Sequence, residues 1–232
     1  MEAAYLTNLA RIRAVAQALK PLNQKVVFVG GATVALYTDP QMAQEVRPTD
    51  DVDVVVELAT YGDYVALEER LRAIGFVNDT ASKVVCRYKI QGITVDIMPT
   101  DPQVIGFSNQ WYAEGFAHSI PFEVGAGLEV QIFPLAYLLA SKLEAFFSRG
   151  NSDFLFSRDF EDIVYVFENA VGLEEAFAEA SGNLSVYLRE AISGLQSHPD
   201  FEEGLYAHLY PAHATYQVQR IREIFQRFLK NK

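Results

Sequence analysis

The 232-residue chain contains one cysteine, Cys86. An internal disulfide framework and a cysteine-based zinc cluster are therefore both excluded. A single thiol suits a reducing compartment, and Cys86, with no histidine near it in sequence, reads as buried packing. Histidine is scarce as well. His208 and His213 are five residues apart with Pro211 between them, a poor spacing for zinc. No apolar run approaches the roughly 20 residues of a membrane span, and the N-terminus has no signal-like apolar region. Positive charge is in deficit: 19 Lys+Arg against 30 Asp+Glu give a net −11. That balance argues against broad, non-specific coating of nucleic acid, which needs many cationic contacts to phosphate, but it leaves room for a local basic site. What remains is globular in composition. Half of the residues are hydrophobic and 12% are aromatic, enough for a sizeable core without staples. The expectation is a soluble, acidic, cytoplasmic protein.

The pattern changes character along the chain. Leu6, Leu9, Ile12, Val15 and Leu19 recur at three- and four-residue steps and predict a helix over 4–19, ended by Pro21. Lys25 to Val29 reads as a buried strand that runs into Gly30-Gly31, with a short helix over 32–37. A polar connection over 38–48 precedes a second strand, Asp51 to Val56. An amphipathic helix over 61–74 closes on Gly75, and hairpins are expected around Gln91-Gly92 and Gly125-Ala126-Gly127. After Pro134 the candidate segments are all helical: 135–149, 158–169, 173–180, 184–195 and 214–230. The expected fold is α/β, a small mixed sheet with flanking helices over 1–134, followed by a helical domain over 135–232.

The most informative segment is Arg47-Pro48-Thr49-Asp50-Asp51-Val52-Asp53-Val54-Val55-Val56. A strand alternates faces with period two, so Asp51 and Asp53 share one face and Val52, Val54 and Val56 the other. Two like charges side by side repel. Solvent at a strand edge is one remedy; a divalent cation is another, and hard oxygen ligands suit Mg²⁺ or Mn²⁺. Asp96 is a lone charge in the apolar run Ile93 to Met98, where a buried carboxylate needs a partner or a metal unless it sits at the strand's end. Gly30-Gly31 lies between a strand and a helix. It is either a plain turn or a place where backbone N–H groups approach a phosphate.

The helix over 135–149 carries an anomaly. At 100° per residue, Leu135, Leu138, Leu139, Leu143 and Phe146 form an apolar stripe, and Lys142 falls near its middle. Either the ammonium snorkels outward along its stem, or it points at an anion, for which a triphosphate is the natural candidate. In the next helix Phe160, Ile163, Val164 and Phe167 form the apolar face, Asp159 flanks it and Asp162 lies farther round. Acidic residues in a first turn also simply favour the helix dipole. Trp111 and Tyr112 could stack a base or pack in a core or dimer contact. Arg220, Arg222, Arg227, Lys230 and Lys232 lie on a helix whose apolar face is Ile221, Ile224, Phe225, Phe228 and Leu229; they form a solvated face or an RNA contact.

Val29-Gly30-Gly31, then Asp51-Val52-Asp53-Val54, then Val95-Asp96-Ile97 resembles the polymerase-β-like nucleotidyltransferase superfamily over roughly residues 25–98. The stretch between Gly31 and Asp51 is longer than that superfamily usually has. Arg47-x-Thr49-x-Asp51-x-Asp53 is similar to the corresponding segment of the AbiEii-type toxin branch. So are Lys142-Leu143-x-Ala145 and Arg158-Asp159-x-x-Asp162-Ile163. The resemblance implies transfer of a nucleoside monophosphate from an NTP (ATP, GTP or CTP) to an acceptor hydroxyl. Asp51, Asp53 and Asp96 would hold Mg²⁺ or Mn²⁺, with Asp96 also available as base. Gly30 and Gly31 would cradle phosphate, Thr49 would offer a hydroxyl, and Arg47 and Lys142 would face the phosphates. Asp159 would orient Lys142 or the acceptor, and Asp162 would contact substrate, in a cleft between the two halves. It further implies a toxin of a toxin–antitoxin system, with tRNA as an acceptor and a cognate antitoxin as partner. A transferase for small, cationic, aminoglycoside-like acceptors is the alternative that −11 favours electrostatically, and a nucleotide-binding module without turnover is a third reading.

Overall fold

The computed structural model describes residues 2–39, 46–149 and 152–230. The chain forms two compact units. One holds the described residues up to 35 together with 46–134, and the other holds 36–39 together with 135–230. Part of the expected 38–48 connection, and Lys232, lie outside the described residues. No helix among the described residues is long and apolar enough to cross a membrane.

The first unit is built on strands β1 (Val27–Val29), β2 (Asp51–Val56), β3 (Val77–Asn78), β4 (Arg87–Ile90), β5 (Ile93–Pro99), β6 (Ile120–Glu123) and β7 (Glu129–Ile132). They form one mixed sheet in the order β3-β4-β5-β2-β1-β7-β6. β2 runs parallel to β5 and antiparallel to β1, and β1 runs parallel to β7. Helices α1 (Glu2–Leu19), α2 (Tyr61–Ala73), α3 (Pro102–Ile105) and α4 (Tyr112–Ala117) complete the unit.

Local chemistry explains the boundaries. Leu9, Ile12, Val15 and Leu19 of α1 are buried as the periodicity predicts, but Leu6 is 50% exposed, so the apolar stripe starts one turn later than expected. Thr60 and Asp63 cap α2 reciprocally: the Thr60 hydroxyl accepts from the Asp63 N–H, and the Asp63 carboxylate accepts from the Thr60 N–H. Gln91 and Gly92 both take positive φ, as a tight two-residue hairpin requires. That turn sets the β4–β5 register, with Ile90 opposite Ile93 and Arg87 opposite Asp96. The first strand of this hairpin begins at Arg87, just after a turn closed by the Arg87 N–H donating to the Val84 carbonyl. Cys86 lies in that turn. It is buried, as expected, and burial together with the nearby Asp96 charge pushes its thiol up to about 12.

The second unit is helical: α5 (Leu135–Ser148), α6 (Arg158–Asn169), α7 (Leu173–Glu179), α8 (Gly182–Ser197), α9 (Phe201–His208) and α10 (Ala214–Lys230). Residues 36–39 join it through a Thr38–Ala170 bridge and a hydrogen bond from the Val171 N–H to the Tyr37 carbonyl. α9 falls between the expected helices 184–195 and 214–230. Gly204 within it is forced by packing, since a Cβ there would meet the Phe154 Cβ at 2.7 Å and the Phe160 ring at 2.9 Å. The core is aromatic. Phe146 packs edge-on against Phe154, with centroids 4.9 Å apart, and tilted against Phe160 at 5.1 Å.

Phe146 is fully buried, so Phe146→Ala removes a ring from contact with Phe147, Phe154 and Phe160. It should cost about 3–5 kcal/mol in urea unfolding. A loss under about 1 kcal/mol would mean that the ring cluster is loosely packed.

Candidate active site

The sheet brings the first group of side chains together. Asp53 of β2 is the register partner of Asp96 of β5, and Asp96 is the register partner of Arg87 of β4. Register partners on neighbouring strands project to the same face, and Asp51 is two residues from Asp53. Asp51, Asp53, Asp96 and Arg87 therefore share one face, while Val52 and Val54 are buried on the other.

Arg87 sits directly on this cluster. Its Nε donates to Asp96 Oδ1 at 2.8 Å and its Nη2 to Asp96 Oδ2 at 2.7 Å. The same Nη2 reaches Asp51 Oδ2 at 3.1 Å. Two parallel bonds of this kind are the strong fork geometry of arginine and carboxylate. The hydrogen bond to Asp96 pushes the guanidinium pKa further up, so Arg87 is a permanent cation. Because one nitrogen touches both oxygens, Asp51 and Asp96 approach each other closely. Gly30 closes the arrangement from β1. It takes φ of 75°, and a Cβ there would run into the Asp53 carboxylate, 2.7 Å from its Cγ. Glycine is required at this position by an acidic side chain of the chain itself. Gly31 opens a 3₁₀ helix, Gly31–Tyr37, over the stretch expected to form a short helix. Its first turn is held by the Gly30 carbonyl, which accepts from the Thr33 N–H and hydroxyl.

Three clustered carboxylates, a glycine backbone against one of them and an exposed fraction on Asp51 fit hard divalent cations. Among the described residues no three acidic, histidine or cysteine side chains already converge on a single cation position. Arg87 holds oxygens of two of the three candidates.

A second group gathers in the helical unit. Lys142 is 7% exposed and Asp162 2% exposed. The Lys142 Nζ lies 3.0 Å from Asp159 Oδ1 and 2.6 Å from Asp162 Oδ2. The ammonium on the apolar stripe of α5 does not snorkel; it is paired across to α6. Asp162, expected farther round the helix, is the more buried partner. Asp159 also accepts from Arg149 Nε at 3.3 Å. Burial pushes the Asp159 carboxyl up, but the charges of Lys142 and Arg149 outweigh it and the net shift is downward.

The family model described as nucleotidyl transferase AbiEii toxin, type IV TA system, matches residues 13–187. The chain belongs to the AbiEii nucleotidyltransferase family. Among solved structures, an antigenic nucleotidyltransferase-like protein from Paracoccidioides brasiliensis is 20% identical, with 90% of this chain and 97% of that chain covered at a TM-score of 0.48. The antibiotic-resistance factor ANT(2'')-Ia is 15% identical, with 83% and 97% covered at a TM-score of 0.49. No curated protein matches the chain.

In this AbiEii nucleotidyltransferase the Arg47-x-Thr49 segment is anchored by a residue that the sequence did not single out. Buried Asn8 of α1 donates through Nδ2 to the Arg47 carbonyl, and its Oδ1 accepts from the Thr49 N–H and hydroxyl, each at 3.1 Å. The Thr49 hydroxyl, expected at substrate, is engaged with Asn8. Arg87 was also missed, although the hairpin register carried the signal. Trp111 is buried and Tyr112 packs edge-on against Phe133, which removes the base-stacking reading for the indole. The three arginines of α10 are engaged within their own unit: Arg220 donates to the Glu168 carbonyl, Arg222 pairs with Glu202, and Arg227 pairs with Glu174 at 2.9 Å. His208 Nε2 lies 3.0 Å from the Phe154 carbonyl and is not placed for zinc with His213.

The depressed Asp159 pKa fixes a pH dependence. The group contributes stability above the ordinary value of 3.8, and that contribution disappears as pH falls through the lower folded value. Asp159→Asn should therefore lower the thermal midpoint at pH 7, with the gap to wild type narrowing as pH falls below 3.8. A gap that stays constant down to the acid transition would contradict the ion-pair assignment.

Proposed function

We propose that this AbiEii nucleotidyltransferase is metal-dependent and transfers a nucleoside monophosphate from an NTP to an acceptor hydroxyl, with release of pyrophosphate. The observation that carries this reading is the placement of Asp51, Asp53 and Asp96 on one face of adjacent strands, with the Gly30 backbone against Asp53. Asp51, Asp53 and Asp96 would hold Mg²⁺ or Mn²⁺. Such ions bind triphosphate oxygens and lower the pKa of an attacking hydroxyl. Asp96 is additionally a candidate proton acceptor for that hydroxyl. Gly30 and Gly31 are assigned to the phosphates through their backbone. Arg47 is assigned to phosphate charge, while in the helical unit Asp159 and Asp162 hold the Lys142 ammonium in position.

The family description, a toxin of a type IV toxin–antitoxin system, supports a toxin role with a cognate antitoxin as functional partner; for the acceptor we propose RNA, with tRNA as the substrate. Such a reaction belongs in the cytoplasm, with its NTP and tRNA pools. A second reading has its own support. The net charge of −11 and the internal engagement of Arg220, Arg222 and Arg227 favour a small cationic acceptor of the aminoglycoside kind.

Incubation with labelled NTPs, Mg²⁺ and either total tRNA or a panel of aminoglycosides separates the two. Label on tRNA supports the toxin reading, and label only on small acceptors ends it. In either case Asp53→Asn should reduce transfer by at least a thousand-fold, on the order expected when a metal-binding carboxylate is lost. Turnover within ten-fold of wild type in that variant would refute the mechanism.

A further inference from the structure

The arginine on the acidic cluster raises a question that the proposed chemistry leaves open. Three carboxylates on one face carry three formal negative charges, and the guanidinium offsets one of them. Its two attachments are unequal. Asp96 is gripped through both oxygens at 2.8 and 2.7 Å, whereas Asp51 is touched through one oxygen at 3.1 Å, by a nitrogen already bonded to Asp96. The arms also differ in setting: the Asp96 side chain is largely buried and that of Asp51 a third exposed. A cation arriving from solvent meets the weaker arm first.

We propose that Arg87 is the built-in counter-cation of the acidic cluster, holding Asp96 by a permanent bidentate grip and yielding Asp51 when a divalent cation takes that carboxylate. This rests on the metal-dependent reading above. Several consequences follow from the geometry. The guanidinium relieves like-charge repulsion among residues that the β2–β5 ladder cannot let separate. It fixes the rotamer of Asp96, because a planar fork engages one lone pair on each carboxylate oxygen and leaves the others for a cation or a proton. It competes with the cation for Asp51, so it lowers cation affinity while improving the aim of Asp96. Arg87 is thus a positioning residue, and β4 supplies it because the Gln91-Gly92 turn sets the register. Lysine cannot substitute fully: it has the charge but lacks the fork.

The test uses Mn²⁺ as probe on the 232-residue chain, with free Mn²⁺ followed by electron paramagnetic resonance and thermal midpoints measured with and without the ion. Arg87→Gln should lower the midpoint without metal and recover more on Mn²⁺ addition than wild type does. It should also bind Mn²⁺ on the order of ten-fold tighter, since a competing positive charge a few ångströms away has gone. NMP transfer should nevertheless fall, because Asp96 is no longer aimed. Tighter metal with slower turnover is a split that a merely structural arginine would not give. Arg87→Lys, which keeps the charge, should show wild-type-like Mn²⁺ affinity with reduced transfer, and it serves if the glutamine variant does not fold. Equal or weaker Mn²⁺ binding in Arg87→Gln, or in Arg87→Lys full transfer activity, would overturn the proposal while leaving the metal reading intact. Wild-type protein that takes up no Mn²⁺ would overturn both.

Discussion

Asp51, Asp53 and Asp96 are fixed by backbone hydrogen bonding on one face of neighbouring strands, so their like charges cannot move apart without breaking the sheet. The first unit is arranged around that constraint. β4 brings a guanidinium to two of the three carboxylates. β1 is followed by a glycine, Gly30, because Asp53 fills the space that a side chain would need. α1 supplies Asn8 to hold the segment that leads into β2. Acidic residues kept together at an electrostatic cost are the usual mark of a site that works on cations and phosphates.

The helical unit answers the opposite problem. Here the awkward charge is one ammonium on an apolar stripe, and two carboxylates from the facing helix neutralise it. Removing one member of such a set leaves an uncompensated buried charge, so the cluster holds α5 and α6 in a defined register as well as keeping the lysine charged. The arginines of α10 follow the same rule at the surface, spent on carboxylates and a carbonyl of neighbouring helices.

Much of this was legible in the sequence because it depends on short periods. The alternation of Asp51-Val52-Asp53-Val54 predicts a shared face; the position of Lys142 on the α5 stripe leaves either snorkelling or an anion, expected to be a triphosphate, and the anions beside it are Asp159 and Asp162. Features set by register across the chain were not legible in the same way. Arg87 meets Asp96 only because the Gln91-Gly92 turn is two residues long; counting outward from it would have paired them. Asp162 does lie farther round α6 from its apolar face than Asp159, but that side is buried as well, because Lys142 of α5 meets it there. Asn8 gave no signal, since its partners lie 39 and 41 residues away. The α9 helix was hidden by its glycine, which is a packing requirement imposed by Phe154 and Phe160.

The central claim is that the three strand carboxylates bind divalent cations beneath an NTP. Anomalous scattering from crystals grown with Mn²⁺ and a non-hydrolysable NTP tests it directly. The account predicts density coordinated by Asp51 and Asp53, with Asp96 in the same cluster and still gripped by Arg87. Manganese bound away from these residues, with the trio unchanged beside an ordered nucleotide, would contradict it.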